Sequence, residues 1–318
     1  MLAGFDAQHV LSRIDPESGS VLIKHGAIKG PLLQPREWDL ALNAQIKKIK
    51  LLFPTSTEPV LVQHATVLLD DTQARISGVR ATLLDAQITG AAVLDDYRQG
   101  VQHASFSVTG TVGDNAVQHI FSSQHLPQHY RVRAPVVLKN LHGRWARGSG
   151  ITMTGTVRCG KATELSWDVQ TGTGSFLLQN AQVSDSDSHC SFRFGLTSDV
   201  FDIAWKGSFR KETLDRILVD NRILSGEVHG DFTALFDEQQ PRRSSATGSL
   251  YLQDIELPIQ ARVPCALSAA SFSAQGSYVQ VTATKVRFGS NHADIRGSVM
   301  MNEQGFALDG DIFSQRLD

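Results

Sequence analysis

The chain has 318 residues, a formal net charge of -2 from 30 Lys and Arg against 32 Asp and Glu, 41% hydrophobic residues and 19% charged ones. That balance excludes a basic field that would recruit nucleic acid, and the ordinary apolar share excludes an intrinsically disordered chain. The length admits one large β-domain or two smaller ones; it is read as one continuous segment, 1–318, with any subdivision near 130–140.

From the N-terminus, "MLAGFDAQHVLSRIDPESG" has no basic region followed by an apolar core, so no export signal is read. No apolar run anywhere is long enough to span a bilayer, and the chain reads as a piece of something longer. Strand text follows. In "EWDLALNAQI", Trp38, Leu40, Leu42, Ala44 and Ile46 oppose Asp39, Asn43 and Gln45. In "GITMTGTV", Ile151, Met153, Gly155 and Val157 oppose Thr152, Thr154 and Thr156; "FDIAWKGSFR" and "HADIRGSVM" alternate in the same way. Turn signals separate these runs: "DPESG", "LDDYRQG", "TGTG", "SDSDS" and "MNEQG". Helical text is confined to "DNAVQHIFSSQHL" and to "RKETLDRILVDN", with Leu214, Ile217 and Leu218 at helical spacing. Parallel βαβ units need many helices, so the expected fold is all-β: a long curled antiparallel sheet, a repeating β-groove, with one or two short helices.

A weak repeat runs through the strands, with a glycine flanked two residues away on each side by mostly apolar residues. Gly90, Gly110, Gly155, Gly207, Gly226, Gly248, Gly297 and Gly310 follow it, which places each on the apolar side. A missing side chain there leaves a notch, and a sheet curls towards the notched side without crowding. These eight are read as curvature glycines. Apolar alternation by itself usually means a packed core, in a sandwich or a closed barrel.

Little in the sequence carries chemistry. His119, His125 and His129 are the nearest approach to a metal cluster, but their spacing fits no zinc site and Pro127 interrupts them. "SDSDSHC" lacks the glycine and terminal Glu of a calcium loop and is read as an exposed hairpin turn. Asp70 with Asp71, and Asp95 with Asp96, are adjacent pairs that face opposite ways in extended chain. Trp38, Trp145, Trp167 and Trp205 could stack sugars, but three lie in alternating text and are read onto the apolar face. Cys159, Cys190 and Cys265 are widely spaced and odd in number, and are read as buried thiols, with one disulfide left open. No nucleophile elbow, P-loop or H-E-x-x-H is present. No catalytic residue, metal or cofactor is assigned, and the chain is not read as an enzyme.

"GSVLIKHGAIKGPLLQPREWDLAL", "APVVLKNLHGRW" with "ITMTGTV", "WKGSF" followed by "TLDRILVDNRILSGEVHGDF", "ATGSLYLQDIELP" and the ending "VTATKVRFGSNHADIRGSV…GFALDGDIFSQRLD" together resemble the AsmA-like family, which includes TamB- and YhdP-type proteins. The resemblance spans nearly the whole chain. It implies a repeating β-groove in a periplasmic protein anchored in the bacterial inner membrane. Such proteins conduct phospholipid to the outer membrane or support envelope assembly. The family's N-terminal membrane helix is not in this sequence, so only the periplasmic part is expected here. The partners implied are a phospholipid or other lipid and, through the rest of the chain, components of both membranes; no nucleic acid is expected. The trough wall is assigned to Ile151, Met153, Val157, Phe201, Ile203, Trp205, Phe209, Leu250, Leu252, Ile295 and Val299. At roughly 4.8 Å per strand, about eighteen strands would make a trough on the order of 85 Å long. The competing reading is a structural or adhesive β-protein with a closed core and an outer face for a protein or glycan. A β-helix hydrolase would need acids clustered on an exposed face, where the sequence places mainly Thr, Ser, Gln and scattered charges.

Overall fold

The structure is a computed structural model that describes residues 15–31, 39–52, 57–98, 100–123, 128–160, 162–257, 265–289, 291–302 and 305–314. Trp38, His125, Pro127 and the turn residues Glu303 and Gln304 lie outside them. The fold is all-β and antiparallel, with two short α-helices among the described residues.

The chain divides into two compact units, 1–161 with 170–173 and 162–169 with 174–318. In the first, β1 (Asp15–Lys29), β2 (Asp39–Leu52), β3 (Val60–Leu69), β4 (Gln73–Leu83), β5 (Ala86–Asp95), β6 (His103–Val112), β7 (Val136–Ala146) and β8 (Gly150–Cys159) each pair antiparallel with the next. β9 (Thr163–Gly172) is divided between the units. In the second, β10 (Ser175–Ser184), β11 (His189–Leu196), β12 (Val200–Arg210), β13 (Glu227–Asp237), β14 (Ser245–Leu257), β15 (Cys265–Gly276), β16 (Tyr278–Phe288), β17 (Asn291–Asn302) and β18 (Gly305–Ser314) continue the same pattern. "DPESG", expected as a turn, opens β1 instead, with Pro16 opposite Leu51. Among the described residues β1 is bonded only to β2, so a residue without an N–H is tolerated there, and the register shifts at that point.

The helices fall where the 3.6-residue spacing puts them. α1 (Asp114–Ser123) starts on a borrowed cap: Asp85, in the turn between β4 and β5, accepts from Asn115 N–H at 3.0 Å and Ala116 N–H at 2.9 Å. Ala116 and Val117 then bury against Ala86 and Val112, with Phe121, Val136 and Leu138 alongside. α2 (Lys211–Ile217) buries Thr213 and Ile217. The chain after it adds a bridge from Leu224 to Ile255 of β14.

Among the described residues of each unit, the extensive contacts between strands run between sequence neighbours. In both units the two faces of the sheet are chemically distinct. Thr89 and Thr109 meet at 2.8 Å, Thr233 and Thr247 at 2.9 Å, and Lys206 Nζ reaches Asp231 Oδ2 at 2.8 Å. These cross-strand pairs form the wet face.

Candidate functional site

The opposite face is the candidate site. In the second unit the register lines apolar residues up in rows across the strands. Phe192, Trp205 and Phe232 occupy one row, continued past Gly248 by Ala274, Val279, Val299 and Leu308. The next row carries Phe194, Ile203, Ala234 and Ala246. On the other side, Phe209 stands opposite Val228, Val228 opposite Leu252, and Leu252 opposite Ala270. All eight wall residues expected from this part of the sequence, Phe201, Ile203, Trp205, Phe209, Leu250, Leu252, Ile295 and Val299, lie on this one face. All eight are half-buried. Trp205 stacks on Phe192 with ring centroids 6.1 Å apart and donates its indole N–H to the Gly207 carbonyl at 3.2 Å.

The face curls on itself. Phe232, Ala234, Ala246, Val279 and Met301 form a buried cluster, with Ile203, Leu250 and Phe272 packed on it. Phe236 of β13 and Phe306 of β18 bring their rings to 6.0 Å, although five strand steps, about 24 Å along the sheet, separate them. At that end the walls of the second unit touch. Farther along β18, Leu308 is 79% and Ile312 72% exposed, so the same face opens there.

The first unit repeats the arrangement. Ile151 stands opposite Trp145, Met153 opposite Gly143 and Val157 opposite Leu138. The face continues through Gly110, Val108 and Phe106 to Ile88, Gly90 and Ala92. Ile151 and Met153 are half-buried and Val157 is buried.

Most of the glycines read as curvature points leave no room for a side chain. A Cβ on Gly90 would stand 2.5 Å from the Ser107 carbonyl oxygen, on Gly297 2.5 Å from that of Asp309, and on Gly310 2.8 Å from that of Arg296. On Gly110, Gly207 and Gly248 it would overlap the carbonyl oxygens of Gln87, His189 and Asp231. Gly155 is buried opposite Leu141. Gly226 precedes β13 rather than lying inside a strand, and packs against the backbone of Gln253. Two further notches carry the same signal and were missed. Gly230, in "VHGDF", faces Gly207 directly, and Gly143 leaves room for the Phe106 ring. Phe192 and Phe194, also unassigned, alternate plainly in "CSFRFGL".

The remaining candidates resolve differently. "SDSDSHC" is a hairpin turn with Ser184, Ser186 and His189 exposed as expected, but the Asp185 side chain turns inward and is 0% exposed. Its carboxylate accepts the Asp187 and Ser188 N–H groups, each at 2.9 Å, the Thr163 hydroxyl at 2.9 Å and Arg216 Nη1 at 2.9 Å. Thr213 Oγ1 lies 2.9 Å from it and 2.6 Å from Ser188 Oγ. The turn is thus stapled to α2, and sequence spacing could not show that Thr163, Thr213 and Arg216 would converge on it. Burial pushes this carboxyl's pKa up, but the N–H and hydroxyl donors outweigh it and hold it down to about 2.

Cys159, Cys190 and Cys265 are buried and unbridged. Burial raises the thiols of Cys159 and Cys190 to about 11 each. His119 sits on α1 and His129 in a 3-10 turn. Among the described residues no three His, Cys, Asp or Glu gather as metal ligands. Asp70 caps its own turn, accepting from Thr72 and Gln73 N–H, while Asp71 accepts from Leu40 N–H, so that pair serves separate partners. Trp145 and Trp205 lie on the apolar faces and Trp167 is half-buried in β9. Among the described residues no helix is long and apolar enough to cross a membrane. No protein-family model, curated protein or solved structure matches the chain.

Proposed function

We propose that the apolar face of each unit is a lipid-holding trough, and that the chain is a conducting segment of a longer envelope protein of AsmA-like type. The reading places it in the periplasm of a protein anchored in the inner membrane, handing phospholipid towards the outer membrane. One observation carries it. Large apolar side chains on one face of successive strands stay half-buried, while the extensive strand contacts among the described residues of each unit run between sequence neighbours. A face of that kind gains from an apolar guest. Keeping two chains of about sixteen carbons out of water is worth roughly 25 kcal/mol, at about 0.8 kcal/mol per CH₂.

The wall residues act as solvent for the acyl chains and none performs a chemical step. The test is mass spectrometry of lipid extracted from protein purified without detergent. Bound phospholipid at near-stoichiometric amounts is expected, and its absence from protein expressed in a bacterial envelope would overturn the reading.

A second reading has its own support. The Phe236–Phe306 contact and the buried cluster around Phe232 close one end of the second unit on itself. If closure ran the length of the face, the chain would be a structural β-protein that meets a protein or glycan through its wet face. Charge placed on the apolar face discriminates the two, as developed below.

A further inference from the structure

The balanced charge of the whole chain conceals a split. The first unit carries 17 Lys and Arg against 12 Asp and Glu, and the second 13 against 20. The excess of cations in the first unit has one source: residues 115–163 hold seven Lys and Arg and no Asp or Glu. The wet face of the second unit answers its cations with acids. Arg193 meets Asp202 at 2.9 Å, Lys206 meets Asp231 at 2.8 Å and Arg210 meets Glu227 at 3.4 Å.

The β7–β8 hairpin of the first unit does not. The register places Arg144 on the wet face between Ser105 of β6 and Thr152 of β8, and His142 between Ser107 and Thr154. Asn140 stands opposite Thr156, and Arg158 opposite Val137. Among the described residues neither Arg144 nor Arg158 forms an ion pair, and both are exposed. The six residues of extended chain from Thr152 to Arg158 set the two arginines about 20 Å apart along the hairpin. Exposed Lys139 lies between them, and exposed Arg147 in the turn beyond.

The groups between the charges decide what such a strip recognises. Asn140, His142, Thr152 and Thr154 are exposed there, and no exposed residue of the hairpin is aliphatic or aromatic. An acidic peptide docks by apolar anchors or by adding a strand to a free edge, and β7 is already bonded on both sides, to β6 and β8. A basic surface that settles on a membrane carries apolar groups that enter the interface, and one that holds single-stranded nucleic acid carries aromatic rings on which bases stack. What fits this strip is a linear polymer read through hydroxyls and spaced carboxylates.

We propose that the wet face of the β7–β8 hairpin binds a linear acidic polysaccharide, with its carboxylates on Arg144 and Arg158 and its hydroxyls on the serine and threonine rows between them. The strip lies on the other side of the sheet from the apolar face, so this inference rests on neither reading of that face.

The test is a titration of fluorescently labelled polygalacturonate with the 318-residue chain, read by anisotropy. Binding at about 50 mM salt that weakens about tenfold by about 200 mM is expected, as for two or three counterions released. Arg144→Glu with Arg158→Glu is expected to lower the affinity about tenfold or more with an unchanged far-UV circular dichroism spectrum, whereas Lys206→Gln in the second unit leaves it as it was. A polymer that does not bind overturns the proposal. So does binding indifferent to the charge-reversing pair, or weakened as much by Lys206→Gln. Polyglutamate, single-stranded DNA or phosphatidylglycerol vesicles bound as tightly at matched charge would assign the strip to another partner and also overturn it.

Discussion

Gly207 is where the curl can be tested most sharply. Its φ is +109° and it sits opposite Gly230, φ +152°, in the middle of the β12–β13 pair. Gly207→Ala meets two penalties. An L-residue at that φ carries backbone strain of about 1–2 kcal/mol. The new methyl group also overlaps the His189 carbonyl oxygen and the Cys190 Cα of β11. Those are backbone atoms that cannot swing aside, so the strands must part and weaken a ladder hydrogen bond worth about 1 kcal/mol. The sum is about 2–3 kcal/mol. Gly276 supplies the control. Its φ is +65°, and nothing lies within 4 Å of the position its Cβ would take, so Gly276→Ala bears strain alone, about 1 kcal/mol. Urea unfolding followed by tryptophan fluorescence reads both, because Trp205 donates to the Gly207 carbonyl. Equal losses for the two variants, or a smaller loss at Gly207, would refute the idea that notches on the apolar face let the sheet bend.

The other predictions concern the guest, the staple and the thiols. Ile203→Glu should remove most co-purified lipid while lowering stability by only about 1–2 kcal/mol, since a half-buried position lets the carboxylate reach water; outright unfolding would favour the closed-core reading. The Asp185 carboxyl has a folded pKa of about 2 against the ordinary 3.8, so the folded state binds its proton less tightly than the unfolded chain. Its contribution, about 1–2 kcal/mol, is complete above about pH 4–5 and is lost as the pH falls towards about 2. Asp185→Asn should flatten the urea midpoint across that window, and an unchanged slope would remove Asp185 from the account. Thiols held at about 11 in Cys159 and Cys190 are only about a thousandth thiolate near pH 8. Alkylation followed by mass spectrometry should therefore label them slowly until denaturant is added, and rapid labelling of native protein would contradict their burial.

Which features were legible in the sequence follows from the physics of extended chain. Period-two alternation depends on neighbours one and two residues away, so the face assignment of Ile151, Phe201 or Ile295 needed no knowledge of pairing. The phase of Gly207 and Gly248 is local in the same sense. What the sequence withheld is set by contacts between distant segments. The approach of Phe236 to Phe306 depends on bending accumulated over five strand steps, and no window of residues contains it. The burial of Asp185 depends on α2 folding back over the turn 28 and 31 residues away, at Thr213 and Arg216. "DPESG" misled for a related reason. A proline is excluded from a strand only where its missing N–H would leave a ladder bond unmade, and among the described residues β1 is bonded to β2 alone.

Such a sheet must be stable with one face only partly covered, and the wet face bears on how. Lys206–Asp231, Arg193–Asp202 and the paired threonines tie neighbouring strands, but exposed pairs contribute at most about 1 kcal/mol each. They cannot replace a second layer. The larger contribution comes from curvature, which brings Phe232, Val279 and Met301 together although they lie on β13, β16 and β17. A glycine notch therefore acts twice, by letting the strand bend and by letting distant rows of the same face bury one another. Tighter curl stabilises the empty sheet and narrows the space for a guest; looser curl does the reverse. On the proposed lipid reading, the contact at Phe236 and Phe306, beside Leu308 and Ile312 left open on the same face, is the form such a compromise would take. A lipid entering at the open end would substitute acyl chain for water against side chains that the curl leaves uncovered.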